Sequence, residues 1–146
     1  LLGKEDVSRT LTKDAVALLS AQGSGIAQVP EGASYACILV GGEPVFEQAH
    51  PRQAIEVTAS RGSGLGYLKA RREISLLSAG RSAGPFASLT LDGREVLFNR
   101  KGLNVVALDG NQNVIAAGIF AHPDDMPYQG KRTGGIVFVL VARGQS

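Results

Sequence analysis

The stretch "GPFASLTLDGREVLFNRKGLNVVALDGNQNVIAAGIF", residues 84–120, contains the clearest hairpin signals in the chain. It contains apolar runs separated by two Asp-Gly pairs, Asp92-Gly93 and Asp109-Gly110. An Asp-Gly pair between alternating apolar residues is typical of a tight hairpin turn. The stretch therefore predicts two β-hairpins that follow one another along the chain.

Four further segments favour strands. Three of them are rich in apolar and β-branched residues, whereas "REISLLSAG" is compatible with helix or strand and is interpreted as a strand. The last segment is the most β-prone in the chain and is predicted to be a buried central strand. The segments are "YACILVGGEPVF" (35–46), "QAIEVTAS" (53–60), "REISLLSAG" (72–80) and "GGIVFVLVA" (134–142).

One helix is predicted near the N-terminus, at about residues 12–22. Thr12 is a good N-cap, and Asp14 in the first turn complements the helix dipole. Leu11 and Val16 have the spacing of a hydrophobic staple. Together with the hairpins, the helix predicts an α+β fold of mostly antiparallel strands, with a sandwich-like core of two sheets and one packed α-helix.

Composition limits the functions that the chain could perform. It has 146 residues, 44% of them hydrophobic, with a net charge of +2, which predicts one globular domain spanning residues 1–146 and no nucleic-acid binding. No apolar run is long enough to predict membrane insertion. The single cysteine, Cys37, excludes an intrachain disulfide. Because the chain begins with Leu1, we interpret it as a processed or excised piece.

The glycine-rich stretch Ser60–Gly66 resembles a phosphate-binding loop only superficially. Its glycines, at 62, 64 and 66, do not have the Gly-x-Gly-x-x-Gly spacing, because Tyr67 occupies the third position. Leu68 and Lys69 do not supply the Lys-Ser/Thr pair of a P-loop. Residues 60–66 are therefore predicted to be a connector between two halves of the chain, and the basic cluster after them is interpreted as a solvated face.

No catalytic or metal-binding pattern is present. The two histidines, His50 and His122, lie far apart and lack metal-ligand spacing, and Cys37 has no polar neighbours to activate it. We predict no enzymatic activity, no cofactor and no metal.

The segment "FAHPDDMPYQGKR", residues 120–132, is the richest polar cluster. Loops of this length are often functional. Its carboxylates and cations could hydrogen-bond sugar hydroxyls, while Tyr128 could cover the apolar face of a ring. The alternative is a solvated surface loop.

Several short motifs resemble the interleukin-like EMT inducer domain. Lys101-Gly102-Leu103-Asn104-Val105-Val106, followed by a strand that ends in Phe120, is similar to the first half of that domain. The segments 1–25 and 35–51 are similar to its second half, so the two halves occur in reversed order. Reversed order could mean a circular permutation, a piece cut across tandem domains, or strands exchanged between subunits.

The resemblance implies a non-catalytic module of a cell-surface or extracellular protein, because members of the family bind glycans or protein partners. The aspartate that follows the family's phenylalanine is replaced by Ala121, which weakens the transfer of its sugar contact. The family's basic contact is matched by Arg81.

The sequence therefore predicts carbohydrate binding by a module whose glycan class is undetermined. The proposed contacts are Arg81, His122, Asp124, Asp125, Tyr128 and Arg132. The alternative is a structural subunit that forms a homo-oligomer or filament through exchange of its terminal strand.

Overall fold

The computed structural model describes residues 11–30, 32–41, 43–66, 68–97, 99, 101–120, 122–125 and 137–143. Within them the chain forms one α-helix and eleven strands, which confirms the predicted α+β class. The elements are α1 (Lys13–Ala21), β1 (Ser34–Val40), β2 (Glu43–His50), β3 (Ile55–Ala59), β4 (Gly64–Leu65), β5 (Leu68–Lys69), β6 (Ile74–Ala79), β7 (Phe86–Leu91), β8 (Arg94–Glu95), β9 (Gly102–Leu108), β10 (Val114–Phe120) and β11 (Val137–Arg143). Short 3-10 turns occur at Ile26–Gln28, Arg81–Ala83 and Pro123–Asp125.

The helix α1 begins where its cap predicts. The Thr12 Oγ1 atom accepts a hydrogen bond from the Ala15 backbone N–H at 3.1 Å. Ala15 and Leu19 are fully buried, and Leu11 and Val16 belong to the same apolar cluster. Among the described residues, no helix has the length and apolar character needed to cross a bilayer.

Five strands form an antiparallel sheet in the order β2-β1-β11-β9-β10. The strand β11 lies in its middle, where Leu140 pairs with Cys37 of β1 on one side and with Val105 of β9 on the other. Six of its seven residues are buried, which confirms a buried central strand for the described part of the predicted segment 134–142, whose first three residues lie outside the described ones. Both edges of β11 are therefore occupied by strands of the same chain.

Four strands, β3-β6-β7-β8, form a second antiparallel layer. It joins the first through a single parallel pair, Arg143 with Ala79. The hairpin predicted at Asp92-Gly93 is confirmed, because Leu91 pairs with Arg94 across it.

The five-stranded sheet is covered on both faces, so the core has two parts. Tyr35, Cys37 and Leu39 of β1 face α1, whereas Ala36 and Ile38 face the four-stranded layer. This alternation follows from the two-residue period of a strand. Because both faces are buried, the central strands have continuous apolar sequences rather than alternating ones. The predicted sandwich is confirmed, with the helix forming a third layer.

The two layers converge where β6 ends. The Ser78 Oγ atom accepts a hydrogen bond from the Tyr35 N–H at 2.9 Å and donates one to the Ala142 carbonyl at 2.6 Å. A Cβ atom added at Gly80 would overlap the Gly32 carbonyl oxygen and lie 2.6 Å from the Ala33 carbonyl carbon. This junction therefore requires a residue without a side chain.

Two connections differ from the expectation. The β9–β10 turn has five residues, Asp109–Asn113, instead of two at Asp109-Gly110, and its Gln112 has a φ of 64°. The glycine-rich stretch folds back as the small hairpin β4–β5. The strands on either side of that hairpin, β3 and β6, pair with one another.

Candidate functional site

A cleft of about 760 Å³ opens where residues 61–72 meet the β7–β8 and β9–β10 turns. We call this part of the molecule the turn end. Three segments that are distant in sequence contribute to the cleft. Its lining consists of Arg61, Gly62, Lys69, Ala70, Arg71, Arg72, Asp92, Asn111 and Asn113.

The glycine-rich stretch forms one wall of the cleft as an ordered hairpin. The Gly62 N–H donates to the Ala70 carbonyl at 2.7 Å, and the Ala70 N–H donates to the Ser63 carbonyl at 2.8 Å. Gly66 has a φ of +59°, and a Cβ atom there would lie 2.6 Å from the Val45 carbonyl oxygen of β2. Glycine is therefore required at this position both for its backbone conformation and for the close approach to β2.

The β9–β10 turn forms the second wall of the cleft, and Gln112 in this turn links it by hydrogen bonds to the glycine-rich hairpin. The Gln112 side chain is almost completely buried, with the Nε2 atom donating to the Lys69 carbonyl and the Oε1 atom accepting from the Arg71 N–H, both at 2.7 Å. The turn around it is held by Asp109, whose Oδ1 atom accepts from the Asn111 and Asn113 N–H groups at 2.9 Å. The side chains of these two asparagines thus stand at the cleft on a fixed backbone.

The β7–β8 turn forms the third wall of the cleft, and its Asp92 bonds to Arg72 and Glu73 at the start of β6. The Arg72 Nε atom donates to the Asp92 Oδ2 atom at 2.8 Å, and the Glu73 N–H donates to the Asp92 Oδ1 atom at 3.0 Å. The hydrogen bond from Arg72 lowers the pKa of Asp92 below its usual value, so this carboxylate is ionised at neutral pH. Arg72 is thereby neutralised locally and held in place.

The lining carries four cationic side chains and one carboxylate, a local charge of +3. Arg61, Lys69 and Arg71 are exposed at the rim. Guanidinium groups donate in a planar fork to oxyanions and hydroxyls, and amide side chains both donate and accept. The cleft is chemically suited to a small, oxygen-rich ligand.

The predicted sugar contacts lie elsewhere. Arg81 is half-buried in the 3-10 turn after β6, where its N–H donates to the Gly32 carbonyl at 3.0 Å. His122, Asp124 and Asp125 are exposed in the turn after β10. Tyr128 and Arg132 lie outside the described residues. Arg81 and His122–Asp125 share one end of the sheets, which we call the loop end.

Polar groups of the His122–Asp125 turn bond to one another. The Asp125 Oδ2 atom accepts from the His122 N–H at 2.9 Å, and the His122 Nδ1 atom accepts from the Asp124 N–H at 3.2 Å. Across the sheet, β9 and β11 separate β10 from β6, so Arg81 is three strand positions from this turn, a lateral distance on the order of 14 Å. The fold thus brings these residues to one end without showing a shared contact between Arg81 and the turn.

The turn end and the loop end are well separated. Arg72 precedes β6 and Arg81 follows it, and a strand of six residues is about 20 Å long. One small ligand could not contact both residues. The sequence analysis identified the cluster of Lys69, Arg71 and Arg72 but not its neighbours in the fold. The pairing of β6 with β7 places this cluster at the β7–β8 turn, and Gln112 joins it to the β9–β10 turn.

A second polar cluster lies beneath the edge strand β2. The Glu47 Oε2 atom accepts from the Tyr35 hydroxyl at 2.6 Å, from the Gly25 N–H at 2.7 Å and from the Ser24 hydroxyl at 3.3 Å. Burial raises the pKa of Tyr35 far above its usual range and raises the pKa of Cys37 to about 12. Both groups therefore stay protonated, and Cys37 has no thiolate character to serve as a nucleophile.

This Glu47 cluster borders a shallow cavity of about 350 Å³ and ties β2 to the segment between α1 and β1. Its hydrogen bonds are satisfied within the protein, so we assign it a structural role. Nothing in the sequence of β2 distinguishes Glu47 from a surface charge. Among the described residues, no group of three potential metal ligands is found.

Comparison with protein-family models, curated proteins and solved structures finds no match. The candidate site is therefore interpreted from its own geometry.

Proposed function

We propose that the protein is a non-catalytic carbohydrate-binding module that holds its glycan in the cleft at the turn end. The observation that carries this proposal is the convergence of guanidinium, carboxylate and amide side chains from three segments on a cleft of about 760 Å³. Small-molecule sites typically have volumes of roughly 300–1,000 Å³. The resemblance to a family with glycan-binding members supports the same function and an extracellular or cell-surface location.

The hydrogen bonds of the cleft favour sugar hydroxyls as partners. The Asn111 Oδ1 atom lies 3.3 Å from Arg71 Nη1, and the Asn113 Oδ1 atom lies 3.4 Å from Arg72 Nη1. These contacts are long and exposed, and a hydroxyl that donates to the amide oxygen while accepting from the guanidinium would replace them at little cost. Fixed backbone and exchangeable side-chain contacts are what a preformed sugar site needs.

A glycan array with the wild-type protein and two variants tests the proposal. The turn-end variant is Asn111→Ala/Asn113→Ala, which retains the backbone bonds to Asp109. The loop-end variant is His122→Ala/Asp124→Ala. We expect the turn-end variant to lose at least tenfold in affinity, and the loop-end variant to bind as the wild type does.

The reverse pattern would move the glycan to the residues that the sequence predicted at the loop end. Absence of glycan binding by the wild-type protein would overturn carbohydrate binding altogether.

Assembly is a second candidate, supported by the edge strand β10. Within the described part of the chain, β10 pairs with β9 alone, and its Val114 and Ile115 are 41% and 43% exposed. An apolar, uncharged edge can pair with a second copy. We therefore place this candidate at β10 rather than at the terminal strand β11, which is paired on both edges.

Light scattering over a hundredfold dilution tests assembly. If copies pair through β10, the mass should fall on dilution, and Ile115→Lys should give a monomer at every concentration. Phe86→Lys changes an equally exposed apolar residue on β7 and serves as the matched control. A wild-type monomer throughout the series would remove this candidate.

A further inference from the structure

We propose that the glycan bound at the turn end is acidic, and that Arg61, Lys69 and Arg71 bind its carboxylate or sulfate group. This inference rests on the proposed function, because it names the class of sugar that the same cleft takes.

The net positive charge of the protein is concentrated at the cleft. The lining has a net charge of +3, from four cations and one carboxylate, whereas the whole chain has a net charge of +2. The rest of the chain therefore has a net charge of −1. Cations placed together on one concave wall repel one another, and an anionic ligand relieves this repulsion.

Asp92 forms an ion pair with one of the four cations, acts on Arg61 only by longer-range attraction, and leaves no carboxylate in the lining for the other two. It forms an ion pair with Arg72 at 2.8 Å. Within the described part of the chain, no carboxylate forms an ion pair with Arg61, Lys69 or Arg71.

Arg71 is the best-positioned of the three cations. Its backbone N–H is held by the Gln112 side chain, and its Nη1 atom donates to the Asn111 Oδ1 atom at 3.3 Å. A guanidinium has five N–H donors, so a planar fork remains for a carboxylate or sulfate. Because the base of the side chain is already fixed, binding costs less conformational entropy than it would for a mobile arginine.

Calorimetry with matched pairs of probes tests the inference. Oligogalacturonate is compared with its methyl ester, which removes the carboxylate charge, and dextran sulfate is compared with dextran. We expect at least one charged member to bind at least tenfold more tightly than its neutral counterpart. Its affinity should fall as sodium chloride rises, since the salt screens exposed charges.

Charge variants locate the anionic group. Arg71→Ala and Arg61→Ala should each weaken binding of the acidic probe about tenfold, which corresponds to ~1.4 kcal/mol. Arg52→Ala removes the same charge from the exposed segment between β2 and β3 and should leave binding unchanged. Circular dichroism melting of each variant confirms that the fold is retained.

Other outcomes of these experiments would contradict either the acidic ligand or the proposed function itself. Equal affinity for charged and neutral members of both pairs would overturn the acidic ligand and leave the glycan proposal intact. Failure of all glycans would overturn the proposed function itself. Tighter binding of inorganic phosphate, or of a single-stranded oligothymidylate, than of any acidic glycan would also overturn this inference, because the cleft would then hold a free anion or a nucleic acid.

Discussion

The two ends of the sandwich differ in where their polar side chains come from and in what those side chains do. At the loop end, His122, Asp124 and Asp125 come from one turn and bond to one another. At the turn end, cations come from one segment, amides from a second and a carboxylate from a third, and these side chains line a cleft. A local cluster of functional residue types can satisfy itself, whereas convergence of distant segments leaves groups available to a ligand.

The two ends also differ in how closely their backbone segments pack. At the loop end, Gly80 is pressed against the Gly32–Ser34 backbone, so the layers meet with no space between them. At the turn end, a glutamine side chain, Gln112, joins the walls through hydrogen bonds, and space remains between them. We expect stability to depend most on the loop end and binding to depend most on the turn end.

Gly80→Ala should have the largest effect on stability. The added Cβ atom would lie 2.6 Å and 2.7 Å from the Ala33 carbonyl carbon and the Ser34 nitrogen, which are backbone atoms that cannot rotate away. We expect a loss of about 3 kcal/mol in the free energy of unfolding, measured by urea denaturation.

Gly118→Ala is the matched control, because a Cβ atom at Gly118 meets nothing within 4 Å. It should change the free energy of unfolding by less than about 0.5 kcal/mol. Similar losses for both glycine variants would show that the layers do not meet at Gly80 as described.

Glu47→Ala tests a region that belongs to neither end. The substitution removes the acceptor of three hydrogen bonds and leaves the buried Tyr35 hydroxyl with Ser24 as its partner. The expected loss is about 2 to 3 kcal/mol, since hydrogen bonds to a charged group are stronger than neutral ones. Glu43→Ala, at an exposed position of the same strand, should have almost no effect on urea denaturation.

Gln112→Ala should have a smaller effect on stability and a larger one on binding. It leaves the Lys69 carbonyl and the Arg71 N–H without their side-chain partner, for a loss of about 1 to 2 kcal/mol. Because the two walls then lose their buried link and keep only the long contacts of Arg71 and Arg72, we expect ligand affinity to fall as well. Unchanged affinity in a destabilised Gln112→Ala protein would mean that the cleft does not depend on this link.

Local signals in the sequence predicted most of the fold. The helix follows from the Thr12 cap and its apolar face, the β7–β8 hairpin follows from Asp92-Gly93, and the central position of β11 follows from its β-branched apolar run. Each of these features depends on residues close together in the chain. The relation between the two halves and the interleukin-like EMT inducer domain stays a prediction.

The candidate site could not be predicted in the same way, because it depends on long-range pairing. The pairing of β6 with β7 places the basic cluster at the β7–β8 turn, and the pairing of β3 with β6 brings Arg61 beside it. The β9–β10 turn joins them through Gln112, which lies 41 residues from Arg71 along the chain, and no local signal specifies that contact. Gln112 is buried and Glu47 half-buried although both are polar, and their partners are backbone groups and side chains more than ten residues away. Hydrophobic patterns do not detect such residues.

The last prediction concerns the charge of the turn end and has the smallest effect on stability. In the folded protein, the pKa of Asp92 is lowered chiefly by its hydrogen bond from Arg72, so the stabilisation is present above the unfolded pKa, about 4, and is lost as the pH falls through the folded value. An NMR titration of the Asp92 carboxylate should therefore show a lower midpoint in the wild type than in Arg72→Gln, which keeps only the weaker contribution of the Glu73 N–H and the attraction of Arg61. Arg94→Gln, which removes an exposed charge from the same hairpin, should leave the midpoint low. If the Arg72→Gln midpoint equals that of the wild type, Arg72 is not the partner of Asp92, and it joins the cations that a ligand would have to neutralise.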